Sequence, residues 1–198
     1  MPCCPKFFLN RWEAPLPTSP YCNCQCVGCI SWQPQETGVP SAQNRIAFIP
    51  SVEEIVQVAL LHLETAPLPI VSFGQGCEGE PLMVWEALKE AIIEIRKKTS
   101  KGIINLNTNG SNPQAVEELF KAGLDSMRVS LNSAREELYK AYYQPKNYTF
   151  NAVQESIALA FRYQKWCSLN YFVYPGVTDQ EEEWDALKKL IRQNKPSM

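Results

Sequence analysis

From Ser51 onward the hydrophobic positions switch repeatedly between helical and strand-like spacing. Ser51-Val52-Glu53-Glu54 has the form of a capping box, in which a serine and a glutamate satisfy amide groups left open at a helix start. Val52, Ile55, Val56, Ala59 and Leu63 then recur at helical spacing. Pro67 and Pro69 end that helix, because proline has no amide to donate and restricts the residue before it. The run Ile70-Val71-Ser72-Phe73 predicts a buried strand. After a glycine-rich loop, Pro81 suits a first helical turn, and Trp85, Leu88, Ile92 and Ile95 form the next stripe.

The alternation continues along the chain. A strand is predicted over Ile103 to Thr108, then a helix opened by Asn112-Pro113 and closed by Gly123. Met127 to Leu131 predicts another strand, and Ser133-Ala134-Arg135-Glu136 a second capping box. A stripe of Phe150, Val153, Ile157 and Phe161 precedes a strand over Cys167 to Tyr174. Thr178-Asp179-Gln180-Glu181 is expected to cap a last helix with Trp184, Leu187 and Ile191 on one face. Upstream, Phe7-Phe8-Leu9 predicts a first strand, and a Pro- and Gln-rich loop runs from there to about Pro50. Strands alternating with helices imply right-handed crossovers and a parallel sheet, so the fold class is α/β with about five strand–helix units. In parallel barrels reactive groups sit on loops after the strands' C-terminal ends, which puts the 22–29 loop and the 74–80 loop on one face.

Composition narrows the function. With 198 residues, residues 1–198 read as a single domain around one core. A formal net charge of −2 gives no basic field for nucleic acid. No apolar run reaches the about 18 residues of a membrane span, and Met1 to Lys6 lacks the pattern of a secretory signal. Four of the eight cysteines lie in Cys22-Asn23-Cys24-Gln25-Cys26-Val27-Gly28-Cys29. Clustered cysteines without a signal peptide lead to the expectation of a reducing, cytoplasmic setting and a metal site.

Cys22, Cys26 and Cys29 have the spacing C-x3-C-x2-C. Three thiolates on one short loop can hold three irons of a [4Fe–4S] cube and leave the fourth iron open. Zinc is the structural alternative, but a closed zinc site usually takes two separated ligand pairs, and a second pair is missing here. Cys24 is either a fourth cluster ligand or a small residue of the loop, and the latter is favoured. Glu80 follows Gly79 just before a helix start, where it is either a dipole-favoured solvated residue or a partner for an ammonium group. Asn109, Ser130 and Asn132 are short polar residues at strand ends, suited to turns or to ribose hydroxyls. Alternation places Ser130 and Asn132 on the same side.

Taken in order, these segments resemble the radical S-adenosylmethionine (SAM) superfamily. The cysteine run resembles its C-x3-C-x2-C motif, and Glu78-Gly79-Glu80-Pro81-Leu82 resembles its G-G-E-P-L segment. Thr108-Asn109-Gly110 resembles its T-N-G, and Val129-Ser130-Leu131-Asn132 its V-S-L-D. Tyr174-Pro175-Gly176 falls where the segment near the adenine would be. Three positions depart from the pattern: Gly28 where an aromatic residue is common, Glu78 where glycine is, and Asn132 where an acid is.

The resemblance implies an incomplete parallel (β/α) barrel, a core domain shortened at its C-terminus. It implies a [4Fe–4S] cluster on Cys22, Cys26 and Cys29, with SAM contacted by Gly79, Glu80, Asn109, Ser130 and Asn132. Reductive cleavage of SAM would give a 5′-deoxyadenosyl radical that abstracts hydrogen from a small-molecule, peptide or protein substrate. The electron would come from a donor such as flavodoxin or ferredoxin. The alternatives are a non-catalytic iron–sulfur electron carrier and a zinc-stabilised binding module.

Overall fold

A computed structural model describes residues 7–197. The Met1–Lys6 segment, with Cys3 and Cys4, lies outside the described residues. Five strands form one parallel sheet in the order β1-β2-β3-β4-β5: Glu13–Pro15, Ile70–Phe73, Ile103–Thr108, Ser126–Leu131 and Trp166–Tyr171. The crossovers are helical. α1 (Val52–Thr65) joins β1 to β2, α2 (Trp85–Lys98) joins β2 to β3, and α3 (Pro113–Ala122) joins β3 to β4. Two helices, α4 (Glu136–Tyr143) and α5 (Phe150–Arg162), lie between β4 and β5, and α6 (Glu181–Asn194) follows β5.

Local chemistry explains most element ends. Ser51 and Glu54 form the predicted capping box on α1. Asn112 caps α3 through its side chain and Pro113 occupies the first turn, while Gly123 closes it in a left-handed conformation. Pro81–Val84 is a 3₁₀ turn capped by the Glu80 side chain, and α2 begins directly after it.

Strand alternation splits the sheet into two chemistries. One face, covered by helices, buries Val71, Phe73, Ile104, Leu106, Met127 and Val129 completely. The core continues through Leu88, Ile92 and Ile95 of α2, Leu119 of α3 and Ile157 of α5. The other face carries Glu13, Ser72, Asn105, Asn107, Arg128 and Ser130 on the alternate positions.

Five expectations need correction. Phe7 and Phe8 are helical, and the first strand is Glu13–Pro15, set by parallel pairing of Glu13 with Ile70 rather than by an apolar run of its own. The second capping box is absent: α4 starts at Glu136 with Arg135 as its cap residue and no side-chain bond. Ser133 instead donates to the buried carboxylate of Glu183 and accepts from the Arg135 amide. Thr178 likewise does not cap α6, whose cap residue Gln180 makes no side-chain bond; Thr178 Oγ1 accepts from the Tyr174 amide. The stripe of α6 is Glu183, Leu187 and Leu190, while Trp184 and Ile191 are exposed, as is Phe161 on α5. Finally, β5 ends at Tyr171, three residues short of the expected Tyr174.

Candidate active site

The loops at the C-terminal ends of β1, β2 and β3 meet over the sheet. Cys22, Cys24, Cys26 and Cys29 line one cavity of about 350 Å³ together with Gly79, Glu80, Asn109 and Ser130. All of the sequence-predicted site residues except Asn132 are therefore in one place. Asn132 lies just beyond the end of β4 and lines a neighbouring apolar cavity with Gly28, Tyr142, Phe172 and Tyr174. Gly28 and Tyr142 line both cavities.

The cysteine loop is held from two sides. The Gln25 and Val27 amides donate to the Tyr143 and Tyr142 carbonyls at the end of α4, each at 3.0 Å. Across the cavity, the Gly79 and Glu80 amides donate to the Ser19 and Tyr21 carbonyls at 2.6 and 2.7 Å. A side chain at Gly79 could not be accommodated, since a Cβ there would stand 1.9 Å from the Tyr21 carbonyl oxygen. The glycine thus permits the close approach of two backbones.

Glu78 completes this tie, and its role was not visible in the sequence. It is 4% exposed, and its Oε2 accepts from the Thr18 amide (2.7 Å), the Thr18 hydroxyl (3.0 Å) and the Ser19 amide (2.9 Å). Its Oε1 accepts from the Gly74 amide at 2.5 Å. Burial pushes its carboxyl up to about 7, against the downward pull of those donors. The residue that breaks the family's glycine pattern is the clasp between the root of the cysteine loop and the exit of β2.

Glu80 is buried next to it, 5% exposed. Its Oε1 accepts from the Thr108 hydroxyl (2.5 Å) and the Leu82 amide (3.1 Å), and its Oε2 from the Asn109 amide (2.8 Å). Burial raises its carboxyl to about 7, and the three donors oppose that rise. A carboxylate oxygen has room for more than one donor, so Oε2 can take a second at the cavity wall. Asn109 also reaches the cysteine loop, donating from Nδ2 to Asn23 Oδ1 at 2.8 Å and to Cys24 Sγ at 3.4 Å.

The sulfurs are arranged along the loop. Cys24 Sγ lies 3.5 Å from Cys22 Sγ and 3.7 Å from Cys26 Sγ. Its hydrogen bond with Cys24, and then burial, hold the Cys22 thiol above its ordinary range. Cys29 Sγ is set apart, 3.7 Å from Ser31 Oγ and 3.8 Å from Arg45 Nη2. Among the described residues no three His, Cys, Asp or Glu side chains converge on a single-ion site. Thiols spread around a cavity suit a multi-iron group better than one tetrahedral ion, and on that chemistry the residues fit an iron–sulfur cluster.

Near Gly28 an aromatic residue comes from elsewhere in the chain. A Cβ at Gly28 would stand 2.6 Å from the Tyr142 hydroxyl, so Tyr142 of α4 fills the space that a side chain at position 28 would need. Tyr142 packs against Phe172 and Phe172 against Tyr174, forming an aromatic wall for the apolar cavity. Asn132 donates to the Leu138 carbonyl, and its buried Oδ1 has no hydrogen-bond partner among the described residues.

The chain belongs to the radical SAM superfamily, whose family model matches residues 16–188. Solved structures share the fold. Native anSMEcpe with bound AdoMet superposes with a TM-score of 0.65 at 18% identity, covering 92% of this chain and 49% of that one. A radical SAM methyltransferase from Sphaerobacter thermophilus gives 0.66 at 14% identity, with 91% and 52% covered. Methylornithine synthase (PylB) gives 0.63 at 15% identity, with 96% and 53% covered. The chain spans about half the length of these solved proteins. No protein of curated function is detectably similar in sequence. The architecture is accordingly a partial radical SAM (β/α) barrel. Among the described residues no helix is long and apolar enough to cross a membrane.

Proposed function

We propose that Cys22, Cys26 and Cys29 hold three irons of a [4Fe–4S] cluster and that SAM binds the fourth. When bound, these groups supply the reducing electron and the 5′-deoxyadenosyl radical that abstracts hydrogen from a substrate. An external one-electron donor such as flavodoxin or ferredoxin completes the system.

The observation that carries this reading is a buried carboxylate, Glu80, on the wall of the cavity that the thiols line. Burial disfavours its charge, so an ammonium group beside it gains a desolvated, charge-assisted partner. Thr108, Leu82 and Asn109 fix the carboxylate's orientation, and Glu78 and Gly79 fix the backbone that presents it. Ser130 lies on the wall of the same cavity for the ribose. The nucleobase suits the apolar cavity next door, where Tyr142 and Phe172 offer ring faces. Asn132, which lines that cavity, is the expected contact near the ribose.

A rival reading draws on Cys24, whose sulfur lies between those of Cys22 and Cys26. As a fourth ligand it would close the cluster and leave an electron carrier. The C-x3-C-x2-C spacing argues against this, because Cys22, Cys26 and Cys29 supply three ligands without Cys24. Anaerobic reconstitution of the full-length protein, followed by electron paramagnetic resonance with and without SAM and a 5′-deoxyadenosine assay, separates the two. An open site gives a SAM-dependent spectral change and 5′-deoxyadenosine. A cluster indifferent to SAM refutes the proposal.

A further inference from the structure

We propose that the concave face of the sheet is a substrate subsite built around Arg128 and that it takes a small polar molecule carrying a carboxylate. This rests on the radical SAM reading, because the subsite adjoins the cavity assigned to the cofactors. A second cavity of about 440 Å³ shares Gly74, Asn107, Ser130 and Asn170 with the cysteine cavity. Arg128 and Glu13 line this cavity and not the cysteine cavity.

The inner face of a closed parallel barrel is ordinarily filled by layers of branched apolar side chains. Here it is polar, and its lower part is already satisfied. Ser126 donates to Asn105, Asn105 to Ser72, and Ser72 to Glu13 Oε1, at 2.8, 3.2 and 2.6 Å. The upper part differs. Arg128 is partly exposed and directs only Nη1 to protein acceptors, Glu13 Oε1 at 2.8 Å and Asn107 Oδ1 at 3.4 Å. Among the described residues no acceptor meets its Nε or Nη2. The side chains of Ser130, Ser168 and Asn170 have no protein partner among the described residues either, and all three line this cavity.

These features select a class of ligand. A guanidinium held by one nitrogen keeps a planar pair of donors that matches the two oxygens of a carboxylate. Glu13 pairs with one nitrogen of Arg128, and among the described residues Arg128 is the only cationic one lining the cavity. A monoanion therefore suits the site better than a phosphate dianion, which would lack a second cation. The serines and Asn170 supply both donors and acceptors for hydroxyl, amine or amide groups on the rest of the molecule.

The test uses the full-length protein without SAM, so that it is read independently of the cofactor proposal. Small carboxylic acids, their primary amides and matched phosphate monoesters are screened as probes by ligand-observed nuclear magnetic resonance. Affinities of the hits are then compared between wild type, R128Q and N170D. The expected result is hits confined to the carboxylates, weakened roughly tenfold or more by R128Q. N170D is the second variant: Asn170 is exposed and anchors nothing, so the new carboxylate repels the ligand without disturbing the fold. Hits among amides or phosphates alone, no carboxylate hits, or hits unchanged in both variants would overturn the proposal. Cluster content and the SAM-dependent spectrum of the same wild-type preparation report separately on the cofactors. Their failure alongside intact carboxylate binding would sink the radical SAM mechanism and leave the subsite standing.

Discussion

On the helix-covered face of the sheet, Val71, Phe73, Ile104, Leu106, Met127 and Val129 are wholly withdrawn from water. On the concave face of the same strands the intervening positions are Ser72, Asn105, Asn107, Arg128 and Ser130. One period-two pattern thus serves two ends. The apolar set drives folding through burial at about 25 cal/mol per Å². The polar set contributes little to that drive and is free to be shaped by chemistry. The C-terminal rim belongs to the second set: its tight contacts, Glu78 to Thr18 and Ser19 and Glu80 to Thr108 and Asn109, are hydrogen bonds rather than apolar packing. Separation of the two sets means that changes on each face should fail in different assays.

The sharpest break is at the rim. Cys22→Ala, Cys26→Ala or Cys29→Ala should each abolish the iron–sulfur absorbance, while Cys24→Ala should retain it. All four proteins should keep their far-ultraviolet circular dichroism. Loss of the cluster in Cys24→Ala alone would favour the closed, electron-carrier reading.

The opposite face should give the opposite pattern. Leu106→Ala deletes a fully buried side chain and should cost about 2–5 kcal/mol in urea unfolding. At temperatures where this variant is folded it should still take up a cluster. A cluster lost with the fold intact would mean that the two faces are coupled.

Glu80→Gln keeps shape and removes charge. SAM affinity, titrated by electron paramagnetic resonance on the reconstituted cluster, should fall by about 1.5–3 kcal/mol, roughly ten- to a hundredfold. An unchanged affinity with an intact cluster would reduce Glu80 to a cap for the Pro81–Val84 turn.

A smaller effect concerns pH. Burial raises both Glu78 and Glu80 from 4.5 to about 7. Between those values the folded protein holds protons that the unfolded chain has released, so their contribution to stability falls as pH rises across that window and levels off above it. The urea midpoint of the cluster-free protein should show this decline, and Glu80→Gln should show a shallower one. A midpoint that rises over the same range would mean that the donors around the two carboxylates outweigh burial. Smallest of all, Ser168→Ala on the open part of the concave face should change stability by no more than about 0.5 kcal/mol. A larger loss would show that this face is packed rather than open.

Much of this was legible from residue order. β2 and β3 have the predicted ends, because in each, apolar residues alternate with short polar ones between bounding proline, glycine or asparagine residues. The caps at Ser51 and Asn112 also follow from local chemistry. The first strand was misplaced because Glu13–Pro15 has no apolar signature of its own and exists by pairing with β2. Ser133 and Thr178 have the residue types of caps, but in the fold Glu183 and the Tyr174 amide claim them. Glu183 belongs to the buried face of α6 because Ser133, Ala134 and Tyr171 donate to it, which no hydrophobic period can reveal.

The sequence alone determined the alternating elements and the parallel sheet, and it singled out the cysteines and Glu80 that the fold gathers around one cavity. These follow from local spacing, which is a property of neighbours along the chain. Only tertiary structure decided that Glu78 clasps the cysteine loop, that Tyr142 fills the place beside Gly28, and that Glu13 meets Arg128 across the sheet. Each joins residues far apart in sequence, and hydrogen bonds and close contacts between such residues leave no periodic trace.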